Sequence, residues 1–173
     1  MKNENGMSDL MNDKLNTHII DIYFNATYPL LNTLGKLIVE VHHIGSTTFN
    51  AETKDIDILF ICKSNVEIFD YLEILTADGY LLKTEKSPYF SNILIMTKVL
   101  NDCMVHYIFM SEKDIRIKEI LDLSSVMKKS RVLQRELMEL KNESLNVSQM
   151  NYIEKKHQFF NHIKDILLKG SVL

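Results

Sequence analysis

Cysteine is scarce in this chain: Cys62 and Cys103 are the only two among 173 residues. Both sit in or beside apolar runs, which excludes a disulfide framework and predicts a pair of buried thiols. An excess of charge of one sign is also missing. Twenty basic and 23 acidic residues leave a formal net charge of -3, which gives no bulk attraction to a polyanion, so no long nucleic acid is expected as a partner. No apolar run approaches the ~20 residues that span a bilayer, and Met1 to Asp13 is polar, without the apolar centre of a signal peptide. These absences predict a cytoplasmic protein with no membrane partner. There is no internal repeat and no low-complexity linker. At 46% hydrophobic the chain can bury one sizeable core. The expected organisation is a single compact domain, with an α/β core and N-terminal helices over 1–110 and a helical region over 111–173 packed on it.

What is present is organised around Val41 to Ile61. Val41-His42-His43-Ile44 reads as the end of a strand, Gly45-Ser46-Thr47-Thr48 as a turn with donor groups, and Asp55 to Ile61 as a second strand. Along that second strand Ile56, Ile58 and Phe60 face one way and Leu59 and Ile61 the other, the pattern of a central strand covered on both faces. Residues i and i+2 of a strand share a face, so Asp55 and Asp57 project side by side at its mouth. Two carboxylates that close repel unless a cation lies between them. A first helix is expected over Asp9 to Ala26, then a second one that starts near Pro29 and ends at Gly35, then a strand over Leu37 to Val41.

Beyond the acidic strand, Ser64 to Glu67 has capping-box spacing. It predicts a helix with Val66, Phe69, Leu72 and Leu75 on its buried face, stopped by Gly79. Tyr80 to Lys86 reads as extended, with a break at Ser87-Pro88. Asn92 to Val99 and Met104 to Met110 read as a hairpin around Leu100-Asn101-Asp102. From Ser111 the pattern is helical only: one helix with Ile117, Ile120 and Leu121 on a face, one from Ser125 to Glu143, a loop at Leu145 to Ser148, and a last helix through Leu168. Lys128, Lys129, Arg131 and Arg135 read as a solvated face. In the last helix Tyr152, Phe159, Phe160, Ile163, Ile166 and Leu167 form an apolar arc with Lys156 near its middle. That places a lysine stem on a buried stripe, with its ammonium either at the domain edge or directed at an anion such as phosphate.

The chemistry follows from the residue types. Gly45 allows close approach of a ligand, and Ser46 and Thr47 add donors beside the amides of a helical turn, a combination suited to phosphate. Asp55 and Asp57 suit Mg²⁺, with Mn²⁺ as the other candidate, because a hard cation takes one or two carboxylates and completes its shell with waters and phosphate oxygens. Two such ions, or one ion and a base, would activate an attacking oxygen and stabilise a leaving pyrophosphate.

Gly45-Ser46 followed by Asp55-Ile56-Asp57 resembles the signature of the nucleotidyltransferase superfamily. More closely, His43-Ile44-Gly45-Ser46-Thr47, Lys54, Val105-His106-Tyr107-Ile108 and Tyr152 with Lys156 and Phe159 resemble the GrpB family, over His42 to Ile163. The resemblance implies a nucleotidyltransferase-like α+β fold: a small mixed β-sheet, helices packed on it and a C-terminal helical region. It also implies nucleotide contacts from Lys54, Tyr152 and Lys156 in addition to Gly45, Ser46 and Thr47. The expected activity is Mg²⁺-dependent transfer of a nucleotidyl group from an NTP to a small-molecule or protein acceptor; the alternative is a non-catalytic nucleotide-binding or regulatory module. The sequence departs from the family in having Asn50-Ala51 where Pro-Gly is usual. His106 falls where active superfamily members have a third carboxylate, as a candidate ligand or base, with Asp102 and Glu112 as further candidates. His42 and His43 are expected to brace the turn.

Overall fold

The computed structural model describes residues 4–50, 55–64, 66–83, 93–143 and 149–168. Its sheet is five-stranded, in the order β1-β2-β5-β4-β3. The strands are β1 (Ile38–Ile44), β2 (Asp55–Cys62), β3 (Leu81–Leu82), β4 (Leu94–Leu100) and β5 (Cys103–Ser111). β2 runs antiparallel to β1 and parallel to β5, and β4 pairs antiparallel with β5 and β3. This is the small mixed sheet with helices expected from the sequence. Ile56, Ile58, Leu59 and Phe60 are all fully buried, as a strand apolar on both faces requires. The β4–β5 turn holds Asn101 at φ 48 and Asp102 at φ 63. Two consecutive left-handed residues match the right-handed twist of a hairpin, and Asn and Asp tolerate that conformation better than other side chains do.

Helix α1 (Glu4–Leu34) covers one face of the sheet. Its buried residues Ile19, Ile22, Ala26, Leu30 and Leu34 recur at helical spacing and join Ile56, Ile58, Phe60, Val105, Tyr107 and Phe109 in one core. The expected break at Pro29 is not found: α1 is a single helix with Pro29 inside it. A proline there removes one amide and leaves the Asn25 carbonyl without its helical partner. Asn25 is exposed, so water can serve that carbonyl, while Ala26 and Leu30 on either side are buried and hold the helix to the sheet.

β1 runs from Ile38 through His42, His43 and Ile44, joining the strand expected over Leu37 to Val41 with the stretch Val41 to Ile44 read as its end. It carries a register shift between Ile38 and Glu40. The segment after β2 forms a 3-10 turn over Glu67–Tyr71 and a short α2 (Leu72–Ala77). Val66 precedes that turn without a side-chain cap, so Ser64 does not serve as one. Val66 and Phe69 are exposed, and Ile68 and Leu75 are the buried residues, because a 3-10 turn advances its faces at a different angle from an α-helix. Gly79 stops the segment as expected, at φ 86, with its amide on the Thr76 carbonyl and the Tyr80 amide on the Leu75 carbonyl.

By its internal contacts the chain divides into Met1–Asp114 and Ile115–Leu173. The second unit comprises α3 (Arg116–Lys129), α4 (Arg131–Glu143) and α5 (Gln149–Leu168). The single helix expected over Ser125 to Glu143 is broken at Ser130, whose backbone is extended. Gln134 accounts for the break: its side-chain amide donates to the Met127 and Lys128 carbonyls at 2.8 and 3.1 Å, supplying partners for the last turn of α3. Met127, Leu133, Leu137 and Ile163 are the buried residues of this unit. Glu119 pairs with Lys164, and Glu143 with Lys155. Among the described residues no helix is long and apolar enough to cross a membrane. Ser87, Pro88, the loop at Leu145 to Ser148 and its capping serine lie outside the described residues.

Both cysteines are free and buried. Burial pushes the Cys62 thiol up to about 12 and raises the Tyr107 hydroxyl above its ordinary value. A group held neutral in this way gives its full stabilisation below its unfolded pKa and loses it as the pH rises toward the folded one. Stability in urea should therefore be flat up to about pH 9 and then fall by ~1.4 kcal/mol per pH unit as Cys62 ionises on unfolding. Tyr107 should add to the slope above about pH 10. Denaturation curves of Cys62→Ala should lack the earliest part of that decline. Replacing Pro29 by Ala restores an amide at an exposed helix position. It should raise the urea midpoint, by about 1–3 kcal/mol in stability.

Candidate functional site

Strand register brings the site together. Ile44 pairs with Asp57, Asp57 with His106, and His106 with Thr97. Cross-strand partners project from the same face, so Asp57 and His106 stand side by side with the turn after Ile44 beside them. Asp55, which pairs with Met104, belongs to the next row on that face, at the first residue of β2, and is exposed.

The turn fits against Asp57 because residue 45 is glycine. Gly45 has φ 79, and a Cβ built there would lie 2.3 Å from Asp57 Oδ2. A side chain at this position would meet both a left-handed backbone and a carboxylate. After Gly45 the chain makes one 3-10 turn over Ser46–Thr48. Thr48 closes it with two bonds to the Gly45 carbonyl, from its amide at 3.3 Å and from its hydroxyl at 2.7 Å. The Phe49 and Asn50 amides donate to the Ser46 carbonyl at 3.1 and 2.8 Å.

On the other side of Asp57, His106 Nδ1 lies 2.8 Å from Oδ1. A carboxylate only accepts, so Nδ1 carries the proton in this pair and the lone pair of the neutral ring is on Nε2. The two side chains are 32% and 23% exposed, Asp57 the more so, which leaves the pair partly shielded and still reachable.

A second network supports the turn from behind. His43 pairs with Ile58 and so faces α1, opposite to Asp57. Its Nε2 lies 2.8 Å from Thr47 Oγ1. The Tyr23 ring of α1 stacks on the imidazole with centroids 5.4 Å apart at 24°. Burial raises the Tyr23 hydroxyl above its ordinary value, so the stacked ring stays neutral. Tyr23 belongs to the site's support and carried no signal in the sequence beyond being one aromatic of a helix, since its partner lies twenty positions away. His42 pairs with Glu40 at 2.7 Å on the exposed surface, where an ion pair is worth little.

The expected site residues therefore separate. Gly45, Asp57 and His106 are brought together, Asp55 lies on the same face one row away, and Ser46 sits half-buried in the turn. Thr47 is buried, and its hydroxyl lies 2.8 Å from His43 Nε2, a contact that braces the turn. Lys54 lies outside the described residues. Tyr152 and Lys156 stand on α5 in the second unit, with the Lys156 ammonium 5.9 Å from the Tyr152 ring centroid. Asp102 falls in the turn before β5, at the same end of the sheet as Asp55. Glu112 is at the other end: its amide donates to the Cys62 carbonyl, the length of β2 away from Asp55. Among the described residues no three or more His, Cys, Asp and Glu side chains group in a way that could hold a metal ion.

The family model "GrpB protein" matches residues 18–165, and the chain belongs to the GrpB family. The crystal structure of the conserved protein GrpB from Enterococcus faecalis has the same fold. It superposes with a TM-score of 0.72 at 17% identity, over 87% of this chain and 93% of that one. The structure of Cid1 in complex with the UTP analog UMPNPP superposes with a TM-score of 0.39 at 19% identity, over 76% of this chain and 44% of that one. No curated protein matches the sequence.

Gly45→Ala should destabilise the protein by at least ~1–3 kcal/mol, because it strains a left-handed backbone and drives a methyl group into Asp57. Thermal melting measures the loss. The ¹⁵N shifts of the His106 ring should move as Asp57 is displaced from Nδ1.

Proposed function

We propose that this GrpB-family chain transfers a nucleotidyl group from an NTP to a hydroxyl acceptor, with Asp55 and Asp57 holding Mg²⁺ or Mn²⁺. The observation that carries the reading is the packing of the Gly45 turn against Asp57, with His106 on the other carboxylate oxygen. It places a side-chain-free bend, an acidic pair and an imidazole in one neighbourhood. The donor set fits such a cation: two carboxylates on one strand face supply hard oxygens, and Mg²⁺ needs no more than one or two from protein when phosphates are present. When bound, the cation neutralises charge on the phosphates.

The chain's own residues do the rest. Gly45 lets a phosphate approach the backbone, and Ser46 stands beside it at the start of the turn. Asp57 fixes the His106 ring through Nδ1, leaving Nε2 to accept a proton. In the transfer the acceptor O–H proton goes to Nε2, the acceptor oxygen bonds to the α-phosphorus, and the bond from that phosphorus to the β-phosphate oxygen breaks to release pyrophosphate. The imidazolium then returns its proton to solvent. The acceptor is a small molecule or a protein side chain.

One observation favours the non-catalytic alternative, a nucleotide-binding or regulatory module: β5 contributes His106 and no third carboxylate. Calorimetry with ATP, GTP, CTP and UTP, with and without Mg²⁺, separates the readings. Binding of at least one NTP that requires Mg²⁺ and is weakened tenfold or more in Asp57→Asn is the expected result. Pyrophosphate release with pooled acceptors, abolished in the same variant, completes it. Binding without release supports the module, and metal-independent binding unchanged in Asp57→Asn overturns the site.

A further inference from the structure

Helix α1 carries two apolar faces, and the sheet covers one of them. The buried residues Ile19, Ile22, Ala26, Leu30 and Leu34 form the covered side. At about 100° per residue, Ile20, Phe24, Tyr28 and Leu31 fall within about 80° of one another, on an arc centred about 135° from that side. They are 52%, 61%, 67% and 39% exposed. Single exposed hydrophobes are ordinary, but a continuous row of four, two of them aromatic, marks a contact surface.

We infer that two copies of the chain pair along this stripe, α1 antiparallel to α1, about a two-fold axis passing between Phe24 and Tyr28. The stripe reads nearly the same in both directions: one aliphatic residue, two aromatics, one aliphatic residue, at spacings of four, four and three. Turned end for end, it sets Phe24 on Tyr28 of the second copy and Ile20 on Leu31 of the second copy. A contact between identical surfaces requires such self-complementarity, whereas a different protein does not. The area is of the right order. An aromatic side chain presents ~150–250 Å², so at these exposures the four residues leave roughly 400 Å² of apolar surface in water. A standard interface takes ~800 Å² from each partner, about 65% of it apolar in homodimers, so the stripe supplies most of the apolar share. The exposed Asp21, Asn25 and Asn32 follow on its outer flank and extend the contact as a polar rim. No Lys or Arg occurs over 17–34, so this part of α1 lacks the cations that hold an amphipathic helix to a lipid surface.

Sedimentation velocity on the full chain, from low to high micromolar concentration, tests this. The wild type should sediment at twice the 20.2 kDa of one chain. Phe24→Glu and Tyr28→Glu each put a charge on the stripe and should weaken the dimer a hundredfold or more, with thermal melts showing that both variants are folded. Oxidative cross-linking checks the direction of the pairing. Chains with Phe24→Cys should form a disulfide with chains carrying Tyr28→Cys faster than either variant does with itself; the native Cys62 and Cys103 are buried. A wild type that stays monomeric at high micromolar concentration overturns the inference, as does a dimer that survives in both folded Glu variants. If neither Glu variant folds, the cross-linking decides, and faster pairing of Phe24→Cys with itself overturns the antiparallel contact.

Discussion

Position 45 and Asp57 compete for the same space, and the site exists because a residue without a side chain settles that competition. The left-handed backbone at Gly45 turns β1 out of the sheet one residue after its last pair with β2. The turn is thereby set against the carboxylate and does not run on past it. Asp57 in turn reaches β5 through His106. One contact therefore ties three strands at a single end of the sheet, and it does so with polar groups that β2, buried along the rest of its length, could not accommodate further in.

The support behind the turn joins this end of the sheet to the core. Tyr23 stacks on His43 from α1, the helix whose neighbouring residues Ile22 and Ala26 are fully buried against the sheet. His43 then holds the Thr47 hydroxyl. The turn is thus fixed by packed apolar surface on one side and by Asp57 on the other. A phosphate-sized ligand would meet a bend that is already formed, so little ordering entropy would remain to be lost on binding.

Much of this could be read from the order of residues, and what could not has identifiable causes. The doubly buried β2, the hairpin turn at Asn101-Asp102 and the helix stop at Gly79 follow from local rules, because period, turn chemistry and a glycine each act within a few residues. The nearness of the Gly45 turn to the Asp55/Asp57 strand was anticipated from motif spacing, and His106 was added to it by the family resemblance. Tyr23 was not, since nothing near it in sequence marks it as the partner of His43. Pro29 misled because a local rule that sets proline in the first turn of a new helix was outweighed by burial of Ala26 and Leu30 on either side. Ser130 was passed over because the group that ends α3 there, the Gln134 side chain, lies four residues downstream in the next helix. Glu112 was placed near the acids on proximity to β5 in sequence, when the parallel pairing of β5 with β2 puts it at the opposite end.

The two rims of the sheet remain. β3 is two residues long, and β1 loses its regular register between Ile38 and Glu40. The two-residue β3 offers little edge ladder, and the shift interrupts that of β1 near its start, which shortens the template on which aggregation by sheet extension grows. The short strand and the irregular start of β1 thus limit the length over which a strand of another molecule could add to this small sheet.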